Sequence, residues 1–177
     1  MKTILFNDHN LEKREMDQQV TKVRVALLNS QNELYLAHYN GVYLLPGGKV
    51  EVGEDLVTAA TREIYEEAGI VLNLEDYEPH LLVIQYLSHY PKRTGNGYHN
   101  KLTKTYYYVV VTDQVLDISK RQLSEREKVG GFEIIQVNLT EILPLLRHND
   151  TDNPRNLYFT RELQAVIDEL KNMTVPF

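Results

Sequence analysis

Residues 47–70 read GGKVEVGEDLVTAATREIYEEAGI. Gly47 and Gly48 open the stretch as a loop, where the backbone can turn sharply and come close to a ligand. The segment then takes on helical spacing and stops at Gly69, the residue type favoured just past a helix end. Glu63, Glu66 and Glu67 stand at i, i+3 and i+4, so a helix places all three on one face. Like charges at that spacing repel unless a cation lies among them. Carboxylates are hard oxygen ligands suited to magnesium or manganese. A solvated acidic helix face satisfies the same spacing.

Working outward, the pattern predicts a helix over 55–68, with Leu56, Ala60 and Ile64 as its apolar stripe and alanines that allow close approach to a sheet. Acids at Glu54 and Asp55 suit the positive end of the helix dipole. Upstream, 2–6 reads as a short edge strand, and 7–19 as a loop or short surface helix. Residues 20–28 alternate apolar and polar and end in turn residues, so they form a strand, paired in a hairpin with a second strand over 33–39. Asn40 and Gly41 make a tight turn, and 42–45 runs as a strand into Pro46. Downstream, 80–90 and 103–112 read as strands joined by a long basic tip over 91–102. Residues 113–131 form a loop with one helical turn, 132–137 a strand, 138–147 a short helix, 148–156 a polar linker and 159–170 an amphipathic helix. Strands outnumber helices and hairpins dominate. That pattern predicts an α/β protein of mixed α+β type, with a mixed sheet flanked by helices.

The totals set limits. A chain of 177 residues fits one domain over 1–177 with a substantial core. Its formal net charge is -6, a poor match for nucleic acid or an anionic membrane surface. There is no cysteine, which excludes disulfides, thiolate catalysis and cysteine-bound zinc. The N-terminal apolar run is too short for a secretory signal, and no window approaches a membrane span. These features predict a cytoplasmic protein whose partner is a small molecule, with a homodimer as the default assembly.

Glu54, Thr58, Arg62 and Glu66 follow one another in i+4 steps, so Arg62 can brace the acids on either side of it. Gly48, five residues, Glu54, seven residues, then REIYEEAGI over 62–70 resembles the Nudix box at every defined position. The strands before the box, the hairpin after it and the C-terminal helix are similar in order to that family. The resemblance implies a mixed sheet sandwiched between helices, with the box as a loop–helix–loop. It implies hydrolysis of a nucleoside diphosphate linked to another moiety, by in-line attack of water at phosphorus, with magnesium or manganese. Glu63, Glu66 and Glu67 match the metal-binding acids, and Gly48 offers its carbonyl. Arg62 would hold the acids, and Glu54 would pair with Arg62 or support a second metal. A single catalytic base is not assigned among the glutamates.

Family members often recruit one more acid from a later loop. Glu127 is the match here, with Glu125 second, in a loop that also reads as ordinary solvated mixed charge. Lys49, Tyr86 and Phe132 are the candidate substrate contacts. Tyr86 lies where the diadenosine polyphosphate type carries a tyrosine, although aromatics are common in strands. Phe132 either packs in the core or lines the base pocket. Lys92, Arg93, Lys101 and Lys104 could steer an anionic substrate or simply solvate the hairpin tip. A different class of function, a nucleotide-binding sensor without turnover, is disfavoured by the intact acids.

Overall fold

The computed structural model describes residues 2–73, 81–149 and 156–173. Seven strands form one mixed sheet: β1 (Lys2–Phe6), β2 (Gln18–Leu28), β3 (Glu33–Tyr39), β4 (Val42–Leu44), β5 (Leu82–Pro91), β6 (Tyr98–Val111) and β7 (Glu133–Asn138). The strand order is β1-β5-β6-β2-β3-β4, with β7 paired to β3. Among the described residues four α-helices accompany it: α1 (Leu56–Ala68), α2 (Glu125–Val129), α3 (Leu139–Asn149) and α4 (Asn156–Asn172). Among the described residues no helix is long and apolar enough to cross a membrane.

Alternation along the strands sorts the core into two layers. Val23, Val25 and Leu27 of β2 pack with Ala59, Ala60 and Ile64 of α1 on one face. Ala26, Leu34 and Leu36 pack with Ile142 of α3 and Leu163, Val166 and Ile167 of α4 on the other. The three tyrosines of β6 obey the same rule. Tyr108 lies in the α1 layer with Tyr106 packed against it, whereas Tyr107 lies in the α3–α4 layer. With helices on both faces, the central strands are covered twice, as a sandwiched sheet requires.

Three expectations are modified. First, β2 and β3 form a hairpin only at its turn, with Leu28 opposite Leu34. Beyond that pair they diverge: β2 runs parallel to β6 from Gln18 to Leu28, and β3 pairs along β7. Second, the β5–β6 tip is shorter than the sequence suggests. Pairing continues to Pro91 opposite Tyr98. Gly95 and Gly97 have positive φ, and Lys92 N–H reaches Gly97 O at 3.0 Å to close the turn. Third, 113–131 holds more order than a loop. Ile118–Lys120 forms a 3-10 turn, and Ser124 caps α2 reciprocally with Glu127. The end of the strand expected over 80–90 at His80, and most of the expected 148–156 linker, lie outside the described residues.

Candidate active site

The divergence of β2 from β3 leaves an edge of β2 available, and residues 46–50 occupy it. Val25 N–H donates to Pro46 O at 2.9 Å and Val23 N–H to Gly48 O at 3.0 Å, while Val50 N–H donates to Thr21 O at 3.0 Å. Gly47 has φ +127, and a Cβ there would stand 2.4 Å from the Val23 carbonyl oxygen. Only glycine fits so close a crossing. From the α4 side of β2, Arg24 donates from Nη1 to Leu45 O at 2.9 Å and also to Gly47 O. The loop is therefore held along its edge by β2 backbone and from beneath by a guanidinium.

The loop leads into α1 through Asp55, whose carboxylate accepts from Val57 N–H at 3.0 Å and Thr58 N–H at 2.9 Å. Such a cap satisfies amide donors that the first helical turn cannot. Glu54 precedes this cap, outside the helix, so helical periodicity does not place it. It folds back, accepts from Glu51 N–H at 3.0 Å, and meets Arg62 with both oxygens at 2.9 and 3.0 Å. The same guanidinium donates to Glu63 Oε1 at 3.0 Å, Glu66 Oε2 at 3.1 Å and the Lys49 carbonyl at 3.1 Å. One planar fork thus gathers three carboxylates and the glycine loop. Hydrogen bonding from Arg62 holds the Glu54 carboxyl below its ordinary value.

Glu67 points the other way, into the protein. It is 4% exposed, and its Oε2 accepts from Gly47 N–H at 2.7 Å. Burial pushes its carboxyl up to about 8, against the opposing pull of Arg24 and the Gly47 amide. Burial also raises Glu63, against Arg62. A Cβ at Gly48 would fall 2.4 Å from Glu63 Oε1, so the absent side chain leaves this carboxylate its place beside the loop backbone. The Gly48 carbonyl spends one lone pair on Val23 N–H, and a carbonyl oxygen has two. Crowded, partly desolvated carboxylates beside a carbonyl form an all-oxygen donor set that suits magnesium or manganese. The residues therefore fit such an ion. Among the described residues no three histidine, aspartate or glutamate side chains form a ready-made cage, and Glu63 and Glu66 are instead bonded to Arg62.

The other expected residues are distributed as follows. The Lys49 side chain is exposed, and its backbone bridges to Lys22. Glu127 accepts from Ser124 N–H at 2.6 Å in the cap of α2, and its charge adds to the upward push on Glu67. Glu125 instead pairs with Lys128 at 2.7 Å on the surface. Phe132 is 8% exposed and packs in the α1-side core near Tyr39, the first of its two expected places. Tyr86 stands apart from the α1 acids. It lines a cleft of about 220 Å³ between α4 and the sheet, with Lys22, Lys101, Tyr158 and Glu162. Sequence reasoning missed Arg24, Lys22 and Glu162. The available signal was the phase of β2: Lys22 and Arg24 occupy alternate positions of a strand covered on both faces.

A protein-family model described as the NUDIX domain matches residues 18–162. Among solved structures, the Escherichia coli ORF135 protein is 18% identical, with 76% of this chain and 83% of that one covered and a TM-score of 0.50. A MutT protein from Bacillus halodurans is 16% identical, covering 71% and 72%, with a TM-score of 0.50. A MutT protein from Methanosarcina mazei is 20% identical, covering 76% and 85%, with a TM-score of 0.49. No curated protein sequence matches this chain. The family model spans the whole of the glycine loop and of the helix of acids. The chain belongs to the Nudix family and is a hydrolase of that family.

Proposed function

We propose that the chain is a divalent-metal-dependent pyrophosphohydrolase. Its substrate is a nucleoside diphosphate linked to another moiety: a nucleoside triphosphate, a dinucleoside polyphosphate or a nucleotide sugar. The observation that carries this reading is the Arg62 fork, which gathers Glu54, Glu63 and Glu66 while Glu67 is buried behind Gly47. A solvated acidic face would have no need of that bracing.

In the reaction, water attacks one phosphorus, a P–O bond forms, the bridging P–O bond breaks in line, and one proton is released. Glu63, Glu66 and Glu67, with the Gly48 carbonyl, would hold magnesium or manganese, and Glu127 is the candidate additional acid. When bound, such an ion neutralises phosphate charge and lowers the pKa of a water. Arg62 keeps Glu63 and Glu66 in place, and Glu54 keeps Arg62 in place. The released proton passes to one of the three helix glutamates. The acidic net charge fits a small-molecule partner rather than nucleic acid or membrane, with the cytoplasm as its setting and a homodimer as its assembly.

The test is incubation with magnesium or manganese and a panel of nucleoside triphosphates, dinucleoside polyphosphates, ADP-ribose and nucleotide sugars, beside Glu67→Gln. Products are resolved by ion-exchange chromatography. Turnover of at least one class, lost in the folded variant, supports the assignment. Tight binding of one compound with turnover of none would overturn it in favour of a nucleotide sensor.

A further inference from the structure

The family model begins at residue 18, yet residues before it join the walls of the cleft that Tyr86 lines. β1 runs parallel to β5, with Phe6 opposite Tyr86. Asp8, just past β1, connects the two walls. Its Oδ2 accepts from Arg161 Nη1 on α4 at 2.8 Å and from the Tyr86 hydroxyl on β5 at 3.4 Å. Phe6 completes the joint. The Arg161 guanidinium lies over its ring, 4.3 Å from the centroid, and Tyr86 meets it edge-on with centroids 6.2 Å apart. A guanidinium can stack on an aromatic face while its fork holds a carboxylate. Arg161 is thus held by two residues of the N-terminal segment.

Arg161 carries that hold into the cleft. Tyr158 stands three residues before it on the same helix face, Glu162 follows it, and both line the cleft. Tyr158 also meets Tyr86 edge to face, with centroids 5.1 Å apart. The segment around Asp8 is itself anchored. The Asn7 side chain closes a turn with the Leu11 backbone through two bonds of 2.9 Å. Farther on, Asp17 N–H donates to Asn100 O at 2.9 Å, and Asn100 Nδ2 donates to Glu15 O at 3.1 Å. Asp8 therefore sits on a chain tied to β5 at one end and to β6 at the other, and it holds α4 rather than following it. The side chains of Asp8 and Arg161 are 40% and 43% exposed. An ion pair so exposed adds little to folding, and its effect falls on the spacing of the elements it joins.

We infer that Asp8 is a positioning residue for substrate binding. With Phe6 it sets the distance between α4 and Tyr86, and so the width of the cleft, and it makes the segment 2–17 part of the candidate site although that segment precedes the family domain. Asp8 acts through Arg161 and Tyr86 and touches no substrate itself. The inference rests on the pyrophosphohydrolase reading, with Tyr86 as a substrate contact. Small displacements of such supporting groups are felt in binding and rate.

The test is kinetic. KM and kcat are measured for the panel compound turned over fastest, with Asp8→Ala, Arg161→Ala, the double variant and Lys2→Ala, each checked by thermal melting. Lys2 pairs with Glu169 on the same helix, about two turns beyond Glu162, and controls for general loosening of α4. Asp8→Ala should raise KM about fivefold and leave kcat within about twofold. The double variant should be no worse than Arg161→Ala, because the two residues act through one contact. Lys2→Ala should leave KM unchanged. If Asp8→Ala melts below the assay temperature, Asp8→Asn replaces it. An unchanged KM in the Asp8 variant, additive effects, or an equal rise in Lys2→Ala would overturn the inference. If no panel compound is turned over, calorimetric dissociation constants of the compound bound most tightly replace KM. The same pattern there upholds the role of Asp8 and removes the hydrolase reading, and binding of no compound removes both.

Discussion

The amide of Gly47 donates to Oε2 of Glu67 at 2.7 Å, joining the glycine loop to the penultimate residue of α1. This bond and the Arg24 charge both favour the ionised carboxylate, yet burial outweighs them and holds the carboxyl at about 8. The desolvation cost therefore decides the charge of the innermost acid.

Stability of the metal-free protein should fall as pH rises from about 4.5 to about 8. In that window Glu67 is ionised in the unfolded chain and protonated in the fold, so folding takes up a proton. Glu63, raised in the same direction, adds to the slope. Urea melts in EDTA at pH 5.5 and 8 should differ by on the order of a few kcal/mol. Glu67→Gln should flatten the difference, and an unchanged slope would count against a buried, proton-holding Glu67.

Magnesium binding near neutral pH should release about one proton, because Glu67 must ionise to act as a ligand. Calorimetric titration in two buffers of different ionisation enthalpy reads this number directly. Proton release near zero would mean that Glu67 is already ionised or is not a ligand.

The two loop glycines should fail differently. Gly47→Ala drives a Cβ against the Val23 backbone at positive φ, and should cost about 2–3 kcal/mol of stability. Gly48→Ala meets only the end of the Glu63 side chain, which can move aside. It should change stability by less than about 1 kcal/mol while weakening magnesium binding roughly tenfold. Denaturant melts paired with metal titrations separate the two effects.

Arg62→Lys keeps the charge and loses the fork. A single ammonium cannot hold Glu54 with two bonds and also reach Glu63, Glu66 and the Lys49 carbonyl. Activity should drop roughly 10–100-fold with little change in melting temperature. Near-normal turnover in this variant would show that the acids keep their positions without the fork.

Much of this arrangement was legible because local chemistry and tertiary role agree. The 55–68 helix announced itself through Asp55, its apolar stripe and Gly69, and it was found with Asp55 as the cap. The acids of 63–67 and the Arg62–Glu66 pair followed from spacing, whereas Glu54 reaches Arg62 by folding back ahead of the cap. What the sequence hid was non-local. Nothing near residue 24 indicates that its guanidinium will lie beneath Gly47, because that contact depends on β2 leaving β3 and accepting 46–50 instead. Lys22 and Glu162 likewise meet only once α4 is laid on the sheet. Tyr86, a candidate substrate contact from its position in sequence, lines that cleft.

The position of residues 46–50 on the edge of β2 also bears on when the molecule becomes competent during synthesis. The opposite edge of β2 is covered by β6, whose last paired residue is Val111, and the α4 face is covered only when Leu163 and Val166 arrive. A nascent chain that has just emerged through Ile70 contains every residue of the box but a bare, half-solvated strand on which to form it. Long-range pairing of this kind is slow to form. Metal-binding competence should therefore be a late event in folding, so that truncated or stalled chains carry the motif without its chemistry.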